Sequence, residues 1–428
     1  MKALRSILLL GFAIALAGCP TKASKGAGDA GSAATPAEPA RVAAPGNVSR
    51  DISREVASME RNAEMAPSPT GYGGSVPRQR SELIPELAFV YKGSPFASDY
   101  KEDRGHSWAW ADLLQSRRIT VKTPGSCITC KTPDVAGIYE DQGWSYAKRP
   151  LADFASEEHP PVGCASCHEP KTYKLRVVQP GFIEAAARGG IDLAGSPRAK
   201  MMVYVCAQCH AEYYLETGSN RVVHPWDSGV TPQAIYEYYQ AKPSGFDADF
   251  TNPDSGVKLL KAQHPDYEEY SGGVHASAGV TCAACHMPAV TEGGKRTTSH
   301  WITSPLKRIG EACLQCHKGK NEQWVLARVR YIQDNVFGLE RSAAQTIARG
   351  HDAIAGAGTA RGADTARLNK ARESLRKAQW LWDFVTSANS TGFHDPVLAQ
   401  NTLAQAIGLA NESILLAWRA AGRPVEER

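Results

Sequence analysis

Five repeats of Cys-x-x-Cys constrain this chain more than any other feature. Of its eleven cysteines, Cys19 stands alone near the N-terminus, and the other ten form the pairs Cys127/Cys130, Cys164/Cys167, Cys206/Cys209, Cys282/Cys285 and Cys313/Cys316. In an exported protein such pairs can be disulfides, and in general they can hold zinc. The next residue argues otherwise: His168, His210, His286 and His317 follow four of the five pairs. C-x-x-C-H is the attachment signature of c-type haem, in which the thiols add to the haem vinyl groups and the imidazole reaches the iron. The remaining motif, in GSCITCKTPD, carries Lys131 in that place. A zinc knuckle fails as its explanation, because no second pair lacking its own histidine remains to complete a four-cysteine site.

The N-terminus reads as an export signal. Residues 1–18 join a short basic start, an apolar run and the small-residue site Leu16-Ala17-Gly18 ahead of Cys19, the pattern of a bacterial lipoprotein signal. The apolar run falls well short of the roughly 20 residues that span a bilayer. Cys19 is therefore expected to be lipidated, with the protein held on the periplasmic side of a bacterial membrane by lipid alone. Residues 19–48, rich in Ala, Gly, Pro and Ser, have little to bury and read as a flexible tether.

Residues 49–320 carry the five motifs, and Gly- and Pro-rich loops dominate residues 123–305, with short helical stretches such as Pro232 to Gln240. From residue 321 the pattern changes to apolar residues at helical spacing with charges opposite. Helices are expected in residues 321–358 and 363–389 and from Pro396 to Ala421. The fold class is mainly α, a multihaem cytochrome c with a haem-packed core, few short strands and long C-terminal helices. Residues 321–428 form a long-helix region continuous with the rest and suited to a dimer interface. The formal charge of +4 omits ten propionates that five haems would bring, so the basic balance does not point to nucleic acid.

A haem that only carries electrons takes two strong axial ligands, whereas one that does chemistry keeps a position open. Four histidines follow the motifs, and eight of the twelve remain: His106, His159, His224, His264, His275, His300, His351 and His394. Four distal histidines would complete four carriers and leave the Lys131 haem as the working iron. To bind iron the Lys131 amine must be neutral, a state favoured by burial and by the metal's charge.

One C-x-x-C-K motif followed by four C-x-x-C-H motifs resembles the pentahaem, ammonia-forming cytochrome c nitrite reductases, from about Pro95 to the C-terminal helices. "DRGHSWAWADLLQSRR" resembles the family's stretch joining a distal haem ligand to the active-site arginine, which implies His106 on the third haem and Arg118 in the active site, with Arg117 adjacent. "CAQCHAEYY" implies Glu212 at calcium and Tyr213 in the active site. "KAQHP" implies Lys261 and Gln263 at calcium and His264 facing substrate. The resemblance further implies His275 on the fifth haem, His300 on the second and His394 on the fourth, which leaves His159, His224 and His351 as surface or structural histidines. The segment between Arg118 and Cys127 is short for the family, and the lipid anchor departs from its soluble periplasmic members.

The resemblance thus implies six-electron reduction of nitrite to ammonia, with five covalent haems c and one calcium per subunit. Arg118, Tyr213 and His264 are the expected catalytic residues, and the calcium ligands are Glu212, Gln263 and the carbonyls of Tyr213 and Lys261. A quinol-oxidising membrane cytochrome or a small periplasmic cytochrome would supply electrons to a homodimer. The other reading is a multihaem electron carrier without a substrate of its own.

Overall fold

The structure, a computed structural model, describes residues 51–423. The signal peptide, the lipidation site Cys19 and the tether lie outside the described residues. Most regular structure is helical, and the strands form three two-stranded antiparallel hairpins: Tyr214–Leu215 with Val222–Val223, Phe250–Thr251 with Lys258–Leu259, and Ala289–Glu292 with Lys295–Thr298.

Three long helices dominate the C-terminal part: Glu322–Gly358, Thr365–Ser387 and Pro396–Ala420. Each starts where a polar side chain can satisfy free backbone N–H groups. The Asn321 side chain accepts from Trp324 N, Asp364 from Arg367 N, and Asp395 from Val397 N and Leu398 N with Pro396 at the first helical position. The second and third helices run antiparallel, since Asp364 N donates to Ala420 O, Ser413 Oγ to Ala371 O and Ser374 Oγ to Leu409 O. Their buried residues alternate in steps of four and three: Ala371, Leu375, Ala378, Trp382 and Val385 on one, Ala399, Leu403, Ala406, Ala410, Ser413 and Ala417 on the other. That is a heptad seam, and its alanines let the two backbones approach. At Gly350 on the first helix an added Cβ would sit 2.6 Å from Leu375 Cδ1, so the glycine permits the contact with the second helix. These helices anchor the largest apolar core, which includes Trp380, Trp382 and Phe384.

The stretch ahead of them is built differently. Its helices are short, among them Ala109–Gln115, Pro180–Arg188, Arg198–Ala207, Pro232–Gln240 and Asp266–Gly272. Away from the main core its apolar residues gather in small clusters, such as Ile128, Val135, Tyr146, Leu151, Phe154 and Val178. Together with parts of the long helices, the stretch lines a cavity of about 2090 Å³, larger than the roughly 300–1,000 Å³ that holds one drug-sized ligand.

Candidate active site and haem cavity

All ten motif cysteines, Cys127, Cys130, Cys164, Cys167, Cys206, Cys209, Cys282, Cys285, Cys313 and Cys316, line this cavity, and none is in a disulfide. The motifs lie on or beside short helical turns, such as Cys164–Cys167 and Cys282–His286, and helical spacing brings residues i and i+3 to one side. Motifs far apart in sequence meet: Cys130 is within hydrogen-bonding reach of Cys209, and Cys206 of Cys282. The first motif is thus adjacent to the third, and the third to the fourth.

The histidines fall into pairs. Ring centres are 6.1 Å apart for His106 and His210, 6.3 Å for His168 and His300, 6.2 Å for His275 and His317, and 6.5 Å for His286 and His394. An imidazole nitrogen binds a first-row metal at about 2 Å, and the ring centre lies roughly 1 Å behind it, so two imidazoles on one iron place their centres about 6 Å apart. The residues therefore fit four bis-histidine haems, in the pairing implied by the sequence resemblance. At five of the eight, burial favours the neutral imidazole that ligation requires: His106 is pulled down to about 3 and His394 to about 4, and His275, His286 and His300 are also lowered, each first by desolvation. Of the three histidines left over, His159 is bonded to Asp134, His224 to the Glu212 carbonyl, and His351 lies between Ser255 and Gln379. All three are buried, and their contacts are structural.

Lys131 opens onto the cavity with 28% of its side chain exposed, and its Nζ lies 3.5 Å from Asp103 Oδ2. Burial acts on the ammonium as expected and lowers its pKa, but Asp103 and Cys130 outweigh it and the net direction is upward. Asp103, the first residue of the stretch that carries His106, was not singled out from the sequence. That segment is shaped by Gly105 at φ +108°, a conformation that favours glycine, and is closed by an ion pair from Arg104 to Asp112.

The two arginines of the Ser116-Arg117-Arg118 turn separate cleanly. Asp99, buried at 2% exposure, accepts from Arg117 N at 2.7 Å and from Ser116 Oγ at 3.3 Å, and this fixes the backbone. The Arg117 side chain is 67% exposed, whereas Arg118 lines the cavity with its guanidinium 4.2 Å from the Phe96 ring centre and Nε donating to Ser116 Oγ at 3.2 Å. Tyr213 shares the cavity wall. Burial pushes its phenol well up, Cys130 and Cys127 add to this, and Arg118 opposes it. His264 also lines the cavity, with its ring 4.4 Å from that of His210 and Asn389 Nδ2 3.5 Å from its Nε2.

Beside Tyr213 lies the candidate calcium site. Glu212 is fully buried, and its carboxylate accepts from Gln263 N at 2.6 Å and Tyr239 OH at 3.0 Å. Gln263 Nε2 donates to the Lys261 carbonyl at 3.2 Å. The Lys261 ammonium turns away, donating to Asp383 Oδ1 at 2.9 Å and Ser387 Oγ at 2.8 Å from the second long helix, so the segment offers this site its carbonyl. Two further carboxylates stand close by: Asp249, at the cavity surface, accepts from Lys261 N, and the buried Glu268 from Glu212 N. Burial raises all three acids, Asp249 to about 6, Glu268 to about 8 and Glu212 well above its usual range. Among the described residues, two buried acids and a third at the cavity surface have no cation beside them except Lys261, which is already paired with Asp383, and clustered oxygen donors of this kind fit a divalent cation.

Fold and cavity together define a multihaem c-type cytochrome. Residues 46–427 match the cytochrome c552 family. The chain is 35% identical over 406 residues to cytochrome c nitrite reductase subunit NrfA of Nitratidesulfovibrio vulgaris, covering 86% of this chain and 77% of that protein. It is also 35% identical over 348 residues to cytochrome c-552 of Bacteroides fragilis, covering 78% of this chain and 68% of that one. Among solved structures, cytochrome c nitrite reductase from Desulfovibrio desulfuricans, whose catalytic subunit is described with two calcium sites, superposes with a TM-score of 0.82 at 33% identity, covering 87% of this chain and 85% of that one. The chain belongs to the cytochrome c552 family.

Proposed function

We propose that this protein reduces nitrite to ammonia, NO2⁻ + 8 H⁺ + 6 e⁻ → NH4⁺ + 2 H2O, at a haem held by Cys127, Cys130 and Lys131. The four histidine pairs would hold the haems that supply the electrons. The observation that carries this reading is the set of four imidazole pairs at 6.1 to 6.5 Å, which uses every histidine that follows a motif and assigns none of the four distal ones to Lys131. When bound, haem c supplies an iron that exchanges one electron at a time and can hold nitrite.

The chain's own residues do the rest. Arg118, braced on Phe96 and Ser116, offers charged N–H donors to the nitrite oxygens. His264 and Tyr213 add donors and pass protons as negative charge builds on those oxygens during N–O cleavage. Glu212, Gln263 and the carbonyls of Tyr213 and Lys261 would hold a calcium ion, which would tie the Tyr213 and His264 segments together. Elemental analysis is expected to find calcium, and chelation is expected to lower turnover; a calcium-free, fully active enzyme removes the ion from this scheme.

Exported protein carrying lipid on Cys19 is expected at the periplasmic face of the membrane, and no helix among the described residues is long and apolar enough to cross it. A membrane or periplasmic cytochrome serves as donor. Exposed Tyr331, Leu415 and Trp418 on the long helices support a homodimer through this region, which a strictly monomeric mass at micromolar concentration would refute. The test that separates the enzyme from a pure carrier is spectroscopic. The enzyme shows a high-spin ferric signal that shifts on adding nitrite, and the carrier shows only low-spin haem that ignores it.

A further inference from the structure

Asp266 joins histidines from three different segments. Its Oδ2 accepts from Nδ1 of His210 at 3.1 Å and lies 3.4 Å from Nδ1 of His264, while Oδ1 is 3.9 Å from Nδ1 of His394. The residue is 6% exposed and begins the helix Asp266–Gly272. Asn389 fixes the carboxylate from the other side, its backbone N donating to Oδ1 at 2.7 Å and its Nδ2 to Oδ2 at 3.0 Å.

The second motif is provided for differently. His168 Nδ1 donates to the Tyr173 carbonyl at 2.8 Å, and its partner His300 donates to the Thr298 carbonyl at 3.0 Å. Both acceptors are neutral. A carboxylate draws the Nδ1 proton harder than a carbonyl does and makes the opposite nitrogen a stronger donor to a metal. A stronger ligand field of this kind favours ferric over ferrous iron, and hydrogen bonding to the axial ligand is one of the ways a protein sets a haem's potential.

We propose that Asp266 is a positioning residue that sets the reduction potential of the third haem below that of the second, while the same carboxylate orients the ring of His264. The proposal rests on the reading of His210 and His106 as the axial ligands of one haem. Its functional sense follows from the contact between Cys130 and Cys209, which makes the third motif the immediate neighbour of the Lys131 motif. A donor kept at low potential next to the working iron passes its electron on instead of storing it.

The experiment is a spectropotentiometric titration of the holoenzyme with the low-spin haems resolved by paramagnetic resonance, comparing wild type with Asp266→Asn. One low-spin haem is expected to move to higher potential by about 59 mV or more, a tenfold rise in its reduced-to-oxidised ratio at fixed potential. The haem of His168 and His300 is expected to stay in place, and Asp266→Glu to restore most of the shift. An Asn variant with full haem content and unmoved potentials, or with all potentials moved alike, overturns the proposal. If Asp266→Asn does not assemble, Asn389→Ala loosens the carboxylate and is expected to move the same haem in the same direction by less; no movement there also overturns it. Failure of the ligand reading looks different, since wild type would then show fewer than four low-spin bis-histidine haems.

Discussion

The three long helices and the loop-rich stretch before them bury their interiors by opposite means. In the helices, Ala, Leu and Trp side chains fill the seams directly, and the contacts close within the polypeptide. In the loop-rich stretch, small apolar clusters surround a cavity of about 2090 Å³ lined by thiols and imidazoles. Its side chains are positioned for partners that are not amino acids. The helices are therefore expected to answer for stability and the cavity for chemistry, and substitutions in each should report on one quantity more than the other.

The largest effect should come from Arg118→Leu, because it removes the charged donor braced on Phe96. Turnover of nitrite is expected to fall by about 10² or more, about 2.7 kcal/mol of barrier, with little change in thermal midpoint. Arg117→Leu, on the exposed side of the same turn, should stay within about twofold of wild type. If the two results were exchanged, Arg117 would be the catalytic residue.

In the bundle, Ala406→Leu forces a larger side chain into a fully buried seam position and should destabilise by about 1–3 kcal/mol. It is expected to lower the midpoint of thermal inactivation while turnover per haem is kept. Loss of turnover without loss of stability would break the division between the two regions.

Lys131→His should retain covalent haem, measured by pyridine haemochrome, and lose at least about tenfold in turnover, about 1.4 kcal/mol. Unchanged turnover would remove the lysine from the mechanism. The smallest effect is expected from Asp364→Ala. It deletes the cap of the second long helix and should cost about 1 kcal/mol, seen as a lower thermal midpoint with the potentials of all haems unchanged.

The two regions also differed in how far they could be read from the amino-acid order. The long helices were legible because periodicity is local, and the expected end at Ala421 differs from the observed Ala420 by one residue; their caps Asn321, Asp364 and Asp395 were not singled out beforehand. The attachment motifs were legible for the same reason. The distal histidines were not local at all. His300 faces His168 across the cavity, and only resemblance to a family indicated which of the eight spare histidines to choose. Asp266, Asp103, Asp249 and Asn389 were missed altogether, because an acid or amide acquires its role from residues that tertiary folding brings to it. Asp266 sits two positions after His264, yet nothing in "QHPD" announces that its carboxylate will turn toward His210 and Asn389.

The two halves nevertheless share one buried ion pair. Asp383, on the second long helix, accepts from Lys261 Nζ and from Ala262 N, and receives the hydroxyl of Tyr91 as well. Lys261 and Ala262 lead directly into Gln263 and His264. The helical half therefore cannot be inherited as an independent module. A chimera that takes residues 321–428 from a relative must bring an acid at position 383 or change position 261 with it, because a lysine left there at 2% exposure would be a charge without a counterion. Recombination between members of such a lineage is constrained at this joint, and drift at either position is tied to drift at the other.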